Sequence, residues 1–130
     1  MNTVRPQPLV LIADNDIAVN SLLADLIVER GLRCESAHDG EEALSRLRAG
    51  GVDVLVTDLD MPKLSGQDLL GSLEELDPAP RTIVISGYLD GPLEESVRAV
   101  SSVQKVLRKP FDVLEFVDVV HDLAVPGDQD

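Results

Sequence analysis

Four polar groups punctuate this sequence, each at the end of a strand-like run. Asp14, Asn15 and Asp16 follow Leu9 to Ala13, and Asp58 and Asp60 follow Val52 to Thr57. Ser86 follows Arg81 to Ile85, and Lys109 follows Gln104 to Leu107. Carboxylates held close together repel one another. A hard divalent cation with oxygen ligands relieves that repulsion, and a partly hydrated Mg²⁺ needs only one or two carboxylates from the protein. A carboxylate beside such a cation is a nucleophile toward phosphorus. The charge on a transferring phosphoryl group then calls for a cation such as Lys109 and a hydroxyl donor such as Ser86. Singly, each residue has a duller role: Asp14 or Asp16 as a helix N-cap, Asp58 and Ser86 as turn residues, Lys109 as a solvated amine. Together they fit phosphoryl transfer onto an aspartate, with Asp14, Asp58 and Asp60 expected to cluster.

The elements between these groups must bring them together. The runs Leu9–Ala13, Leu32–Ala37, Val52–Thr57, Arg81–Ile85 and Gln104–Leu107 read as strands. Helical spacing follows each one. Val19, Leu22, Leu23, Leu26 and Ile27 mark the first helix, stopped by Gly31. Gly40–Arg48 is the second, and the third runs from about Gln67 to Leu76 after the loop Asp60–Gly66. Leu93, Val97 and Val100 mark a fourth after Pro92. Asp112–Ala124 is the last, with Val113, Phe116, Val117, Val120, Leu123 and Ala124 inward. Five strand–helix units in strict alternation, with nearly all-apolar strands, predict a parallel sheet covered by helices on both faces. Ligands of such a sheet bind outside the carboxyl ends of the strands, where all four polar groups fall.

Composition removes several other functions. The chain has 130 residues, one domain's worth, with 24 Asp and Glu against 11 Lys and Arg and a net charge of −13. Phosphate backbones and anionic membranes both call for a basic surface, so neither nucleic acid nor membrane is an expected partner. The aromatics are Tyr88, Phe111 and Phe116 alone, too few for a base-stacking platform. Cys34 is the single cysteine and reads as a small buried hydrophobe rather than a reactive thiol. His38 and His121 read as surface residues. Met1–Pro8 has no apolar stretch of a signal peptide, and no run reaches membrane-spanning length, so a cytoplasmic location is expected. The expected layout is an extension at 1–8, one domain at 9–124 and an acidic tail at 125–130, too short for an effector domain.

These blocks closely resemble the receiver domain of two-component response regulators, the CheY-like family, over nearly the whole chain from Leu9 to Ala124. The shared motifs are an apolar strand then Asp14-Asn15-Asp16, a strand then Asp58-Leu59-Asp60-Met61-Pro62 with Gly66, a strand then Ser86-Gly87, and a strand then Lys109-Pro110-Phe111. The resemblance implies a doubly wound (βα)5 fold with a five-stranded parallel sheet in the order 2-1-3-4-5. It implies that Asp58 is the phosphoacceptor, served by a histidine kinase or phosphotransfer protein. Mg²⁺ is then held by Asp14, Asn15, Asp58 and the backbone carbonyl of Asp60, while Ser86 and Lys109 bind the phosphoryl group. It implies a cis Lys109–Pro110 bond, a downstream protein effector and no turnover enzyme, with a phosphorylation-dependent homodimer open to the chain.

Three positions depart from the family pattern. Asn15 stands where the family usually has a second acid, the direct metal ligand, so weaker Mg²⁺ binding is expected. Asp16 next door is expected to compensate electrostatically. Val106 stands where an aromatic usually lies three residues before the lysine, which leaves any signal to the backbone, the Ser86 loop or Tyr88. Ser101-Ser102 replaces the usual Gly-Ala before the fifth strand. Asp60 and Tyr88 flank the path of attacking water in this family and are expected to modulate dephosphorylation. The rival readings are a phosphorylation-independent pseudo-receiver, supported by Asn15, and a haloacid-dehalogenase-type phosphatase, suggested by Asp58-Leu59-Asp60. Against the phosphatase, this motif follows the third strand and no acid pair follows Lys109. A flavin binder is disfavoured by the lack of a Gly/Ser/Thr-rich phosphate loop.

Overall fold

The structure, a computed structural model, describes residues 7–125. The expected extension at 1–8 and tail at 125–130 lie largely outside them. The elements are β1 (Leu9–Ala13), α1 (Ile17–Glu29), β2 (Arg33–Ala37), α2 (Gly40–Arg48) and β3 (Val54–Asp58). They continue with α3 (Gly66–Ser72), β4 (Arg81–Ser86), α4 (Gly91–Arg98), β5 (Val103–Arg108) and α5 (Val113–Ala124). The strands form one parallel sheet in the order β2-β1-β3-β4-β5. The fold class and strand order are therefore as expected.

Strand alternation divides the core in two. Val10, Ile12, Val54, Val56, Ile83 and Ile85 face α1 and α5, where Leu23, Ile27, Phe116 and Val120 meet them. Leu11, Leu55 and Val84 face the other way, onto Ala43 and Leu47 of α2, Leu69 and Leu70 of α3 and Val97 of α4. Every residue of β1 and β3 is buried, as the interior strands of a doubly covered sheet require. The edge strands depart from the all-apolar expectation: β2 exposes Arg33 and Glu35, and β5 exposes Gln104, Lys105 and Arg108. Charge on an edge discourages pairing with another chain.

Each helix begins on a polar cap. Asp16, Asp39, Ser65, Asp90 and Asp112 accept hydrogen bonds from backbone N–H groups of Val19, Glu42, Asp68, Leu93 and Leu114. Several expectations shift by a turn or less. The third helix stops at Ser72 and tightens into a 3-10 turn at Leu73–Glu75. The fourth starts at Gly91, with Pro92 in its first turn, where a missing N–H costs nothing. Leu22 does not join the buried stripe of α1, being 51% exposed, because the inward phase runs through Asn20, Leu23 and Ile27. Val113 sits at the open start of α5 and is exposed rather than inward. Cys34 is half-buried, and burial pushes its thiol up to about 12, with Glu35 and Asp25 adding to the shift. It is a packing residue, as expected.

Candidate phosphoacceptor site

Asp14 ends the run of β1 and is fully buried. Its backbone N–H donates to the Ala37 carbonyl at 3.1 Å, and its Oδ1 accepts the Asp16 N–H at 2.9 Å. Asp58, the last residue of β3, is built the same way: its Oδ1 accepts the Asp60 N–H at 3.1 Å. These two local turns hold both carboxylates rigid and leave one oxygen of each directed at a common partner, Lys109. The Lys109 ammonium donates to Asp58 Oδ2 at 2.8 Å and lies 3.6 Å from Asp14 Oδ2. The second distance is an ion pair without a hydrogen bond, so Asp14 Oδ2 is buried with no hydrogen-bond partner.

The charges follow from that geometry. Burial raises the Asp14 pKa above the ordinary carboxylate value. The Asp16 amide and the Lys109 charge pull it down, and the nearby Asp58 charge pushes it further up. Burial alone would lower the Lys109 pKa, but the hydrogen bond and charge of Asp58, with the charge of Asp14, outweigh it and the net shift is upward. The site thus holds a buried negative charge at Asp14, one oxygen of which has an ion pair but no hydrogen bond.

The remaining parts converge through the backbone. Ser86 ends β4 and is 5% exposed. Its carbonyl accepts the Lys109 N–H at 2.9 Å, which ties the ends of β4 and β5 together. Its hydroxyl donates to the Tyr88 carbonyl at 2.9 Å and accepts the Tyr88 N–H at 3.1 Å, so Ser86 is at once a turn residue and a site residue. The Lys109–Pro110 bond is cis, as the resemblance implied. Gly66 lets α3 start against the end of β3, since a Cβ there would overlap the Asp58 carbonyl and Leu59 Cα.

Two expected members lie at the open rim of the site, where Asp60 was expected to act through its backbone carbonyl. Asn15 and Asp60 have exposed side chains. The expected cluster of three carboxylates is a pair, Asp14 and Asp58, around Lys109; among the described residues no three acidic, His or Cys side chains come together as metal ligands. Asp60 contributes its N–H to the Asp58 turn. Asp16 is engaged as the cap of α1, accepting the Val19 N–H at 3.1 Å. The missed residue is Asn20, buried inside α1 at an otherwise apolar phase. That mismatch, an amide in line with Leu23 and Ile27, is the sequence signal that marks it.

Residues 10–121 match the response regulator receiver domain family. The chain belongs to that family. It is 30% identical over 108 residues to the transcriptional regulatory protein TrcR of Mycobacterium tuberculosis, covering 83% of this chain and 42% of that one. The DNA-binding transcriptional regulator NtrC of Salmonella typhimurium is 30% identical over 113 residues, covering 86% of this chain and 24% of its own. The chain therefore spans less than half the length of these curated relatives. A response regulator receiver protein from Pseudomonas putida superposes with a TM-score of 0.84 at 29% identity, covering 92% of this chain and 99% of that one. The receiver domain of the Francisella response regulator 1452 gives 0.81 at 30% identity, over 90% and 96% of the two chains. This receiver domain has no helix, among its described residues, long and apolar enough to cross a membrane.

Proposed function

We propose that this receiver domain accepts a phosphoryl group on Asp58 from the phosphohistidine of a histidine kinase or phosphotransfer protein. The observation that carries the reading is the Asp58 carboxylate, buried at a strand end, 2.8 Å from a Lys109 ammonium that it shares with Asp14 Oδ2, which has no hydrogen bond. A carboxylate oxygen of Asp58 attacks phosphorus, the P–N bond to the donor imidazole breaks, and the imidazole leaves. Lys109 stays with the transferred oxygens and offsets their charge. Ser86 gives up its bond to the Tyr88 carbonyl and donates to the phosphoryl group instead. That exchange moves the segment leading into α4, and Val106 adds no aromatic to the movement.

The donor set fits Mg²⁺. It offers only oxygens, and a buried carboxylate oxygen without a hydrogen bond is what a hard cation satisfies. Asp14 and Asp58 would hold it, with the Asn15 amide and the Asp60 carbonyl completing the protein's share. When bound, Mg²⁺ supplies charge stabilisation for the phosphoryl oxygens. A downstream protein reads the altered surface, and a homodimer of the phosphorylated form is one such reader. The role is that of a signalling phosphoacceptor rather than a turnover enzyme.

The test is a Mg²⁺ and beryllofluoride titration followed by amide NMR, with labelling by a small phosphodonor. Saturable shifts centred on Asp14, Asp58, Ser86 and Lys109 are expected, with labelling lost in Asp58→Asn. Unchanged labelling in that variant would refute the assignment. Asn15 favours one other reading, a module that binds its partner without phosphorylation. Wild-type protein that neither labels nor responds to beryllofluoride would establish it.

A further inference from the structure

We propose that Asn20 is the positioning residue of the cation site, acting by holding the peptide that joins Asp14 to Asn15. This rests on the phosphoacceptor reading above. Asn20 lies in α1 and is fully buried. The two hydrogens of its Nδ2 are shared among three carbonyls, Asp14 and Ala37 at 3.1 Å each and Ile12 at 3.3 Å. Its Oδ1 accepts the Ser36 hydroxyl, which fixes the amide's rotation from the β2 side.

Three of the four polar groups of Asp14 are engaged: N–H to Ala37, Oδ1 from Asp16 and the carbonyl from Asn20. The fourth, Oδ2, has no hydrogen bond and only the Lys109 charge at 3.6 Å. A carbonyl and the following N–H lie in one rigid plane, so the bond from Asn20 sets the direction in which the chain leaves Asp14 for Asn15. Strand pairing alone would not do this, since β1 ends at Ala13. A helix mid-section would also not carry a buried amide without use, because an unpaired polar group there is costly. The amide holds the Asp14 carbonyl from behind the donor set, and through its peptide plane the start of Asn15. Orienting partners of this kind typically change metal affinity by about 10- to 100-fold.

The test compares wild-type protein with Asn20→Ala, Ser36→Ala and Ser36→Thr, using Mg²⁺ affinity by calorimetry and amide exchange without Mg²⁺. Asn20→Ala is expected to weaken Mg²⁺ binding by about tenfold or more. In the metal-free protein, the Asp16 amide, bonded to Asp14 Oδ1, is expected to exchange about tenfold faster. Ser36→Ala should move both quantities the same way by less, and Ser36→Thr, which keeps the hydroxyl, should restore them. A purely structural role would lower the unfolding temperature and leave the affinity alone. Mg²⁺ affinity within about twofold of wild type in folded Asn20→Ala overturns the proposal. If that variant does not unfold cooperatively, the same result in Ser36→Ala overturns it. Wild-type protein without any Mg²⁺ response overturns the phosphoacceptor reading and this proposal with it. Normal wild-type binding with unaltered variants overturns this proposal alone.

Discussion

Asp14 and Asp58 share one construction and differ in what completes it. Lys109 gives Asp58 a hydrogen bond and gives Asp14 only a more distant charge. Asp14 is therefore the strained member of the pair. Its folded pKa is raised, so its contribution favours folding in the protonated form, below the unfolded value of 3.8, and that contribution is lost as pH rises through the folded value. At neutral pH the buried charge costs stability. Asp14→Asn keeps the bond from the Asp16 N–H and removes the charge. It should raise stability without Mg²⁺ at pH 7 by about 1 kcal/mol, or about 4 °C in Tm. The gain should shrink as pH falls through the raised folded pKa of the wild-type carboxyl; a gain independent of pH by thermal melts would sink the idea. Lys109 works in the opposite range. Its folded pKa lies above 10.5, so its stabilisation is present below that value and lost as pH rises through the folded one. At the rim, Asn15→Asp adds a carboxylate ligand and should tighten Mg²⁺ by about tenfold. An unchanged affinity by calorimetry would show that Asn15 is not a ligand.

At the scale of elements, the site depends on where strands stop and helices start. The stops of the interior strands were legible in the sequence because apolar runs break off at Asp14, Asp58 and Ser86, and burial permits little else there. The α2 boundaries, Gly40–Arg48, were legible because Asp39 caps one end and glycines close the other. Exposed apolar residues were less legible: Leu22 and Val113 match helical spacing, yet the inward phase is set by which face meets the sheet, which a periodicity in one helix does not fix. The polar partners of the site residues were partly hidden for the same reason. Which amide approaches Asp14 depends on α1 lying across β1 and β2, a long-range arrangement. Gly66 shows how closely an element can be bound to the chemistry. Its backbone N–H donates to the Leu59 carbonyl at 3.1 Å, and its missing Cβ leaves room for the Asp58 carbonyl. Gly66→Ala forces β3 and α3 apart. We expect a loss of about 2 kcal/mol, within the range for overpacking, together with slower labelling of Asp58. Asp90→Ala removes only the cap of α4 and should cost about 1 kcal/mol with the Mg²⁺ affinity unchanged. Chemical denaturation and calorimetry on the two variants separate an element that builds the site from one that merely borders it.

At the scale of the whole molecule, the charge of −13 divides into parts with different physics. Asp16, Asp39, Asp90 and Asp112 cap helices, where a negative charge meets the positive helix end. Glu35, Glu94 and Asp118 sit in surface ion pairs with Arg46, Arg98 and Arg30. Such pairs contribute little individually and are screened by salt. Among the described residues, only Asp14 and Asp58 are buried carboxylates, and a cation must enter the site to reach them. General repulsion and a specific site therefore make different predictions for added ions. Sodium chloride screens the surface, and its effect should depend on ionic strength alone. Magnesium chloride at equal ionic strength should add stabilisation by linkage, following RT ln(1 + [L]/Kd), about 2.7 kcal/mol at a concentration of 100 Kd. That extra increment should vanish in Asp14→Asn while the sodium effect persists. Equal responses of wild type and variant to Mg²⁺ would assign the ion to the acidic surface as a whole and remove the metal from the site.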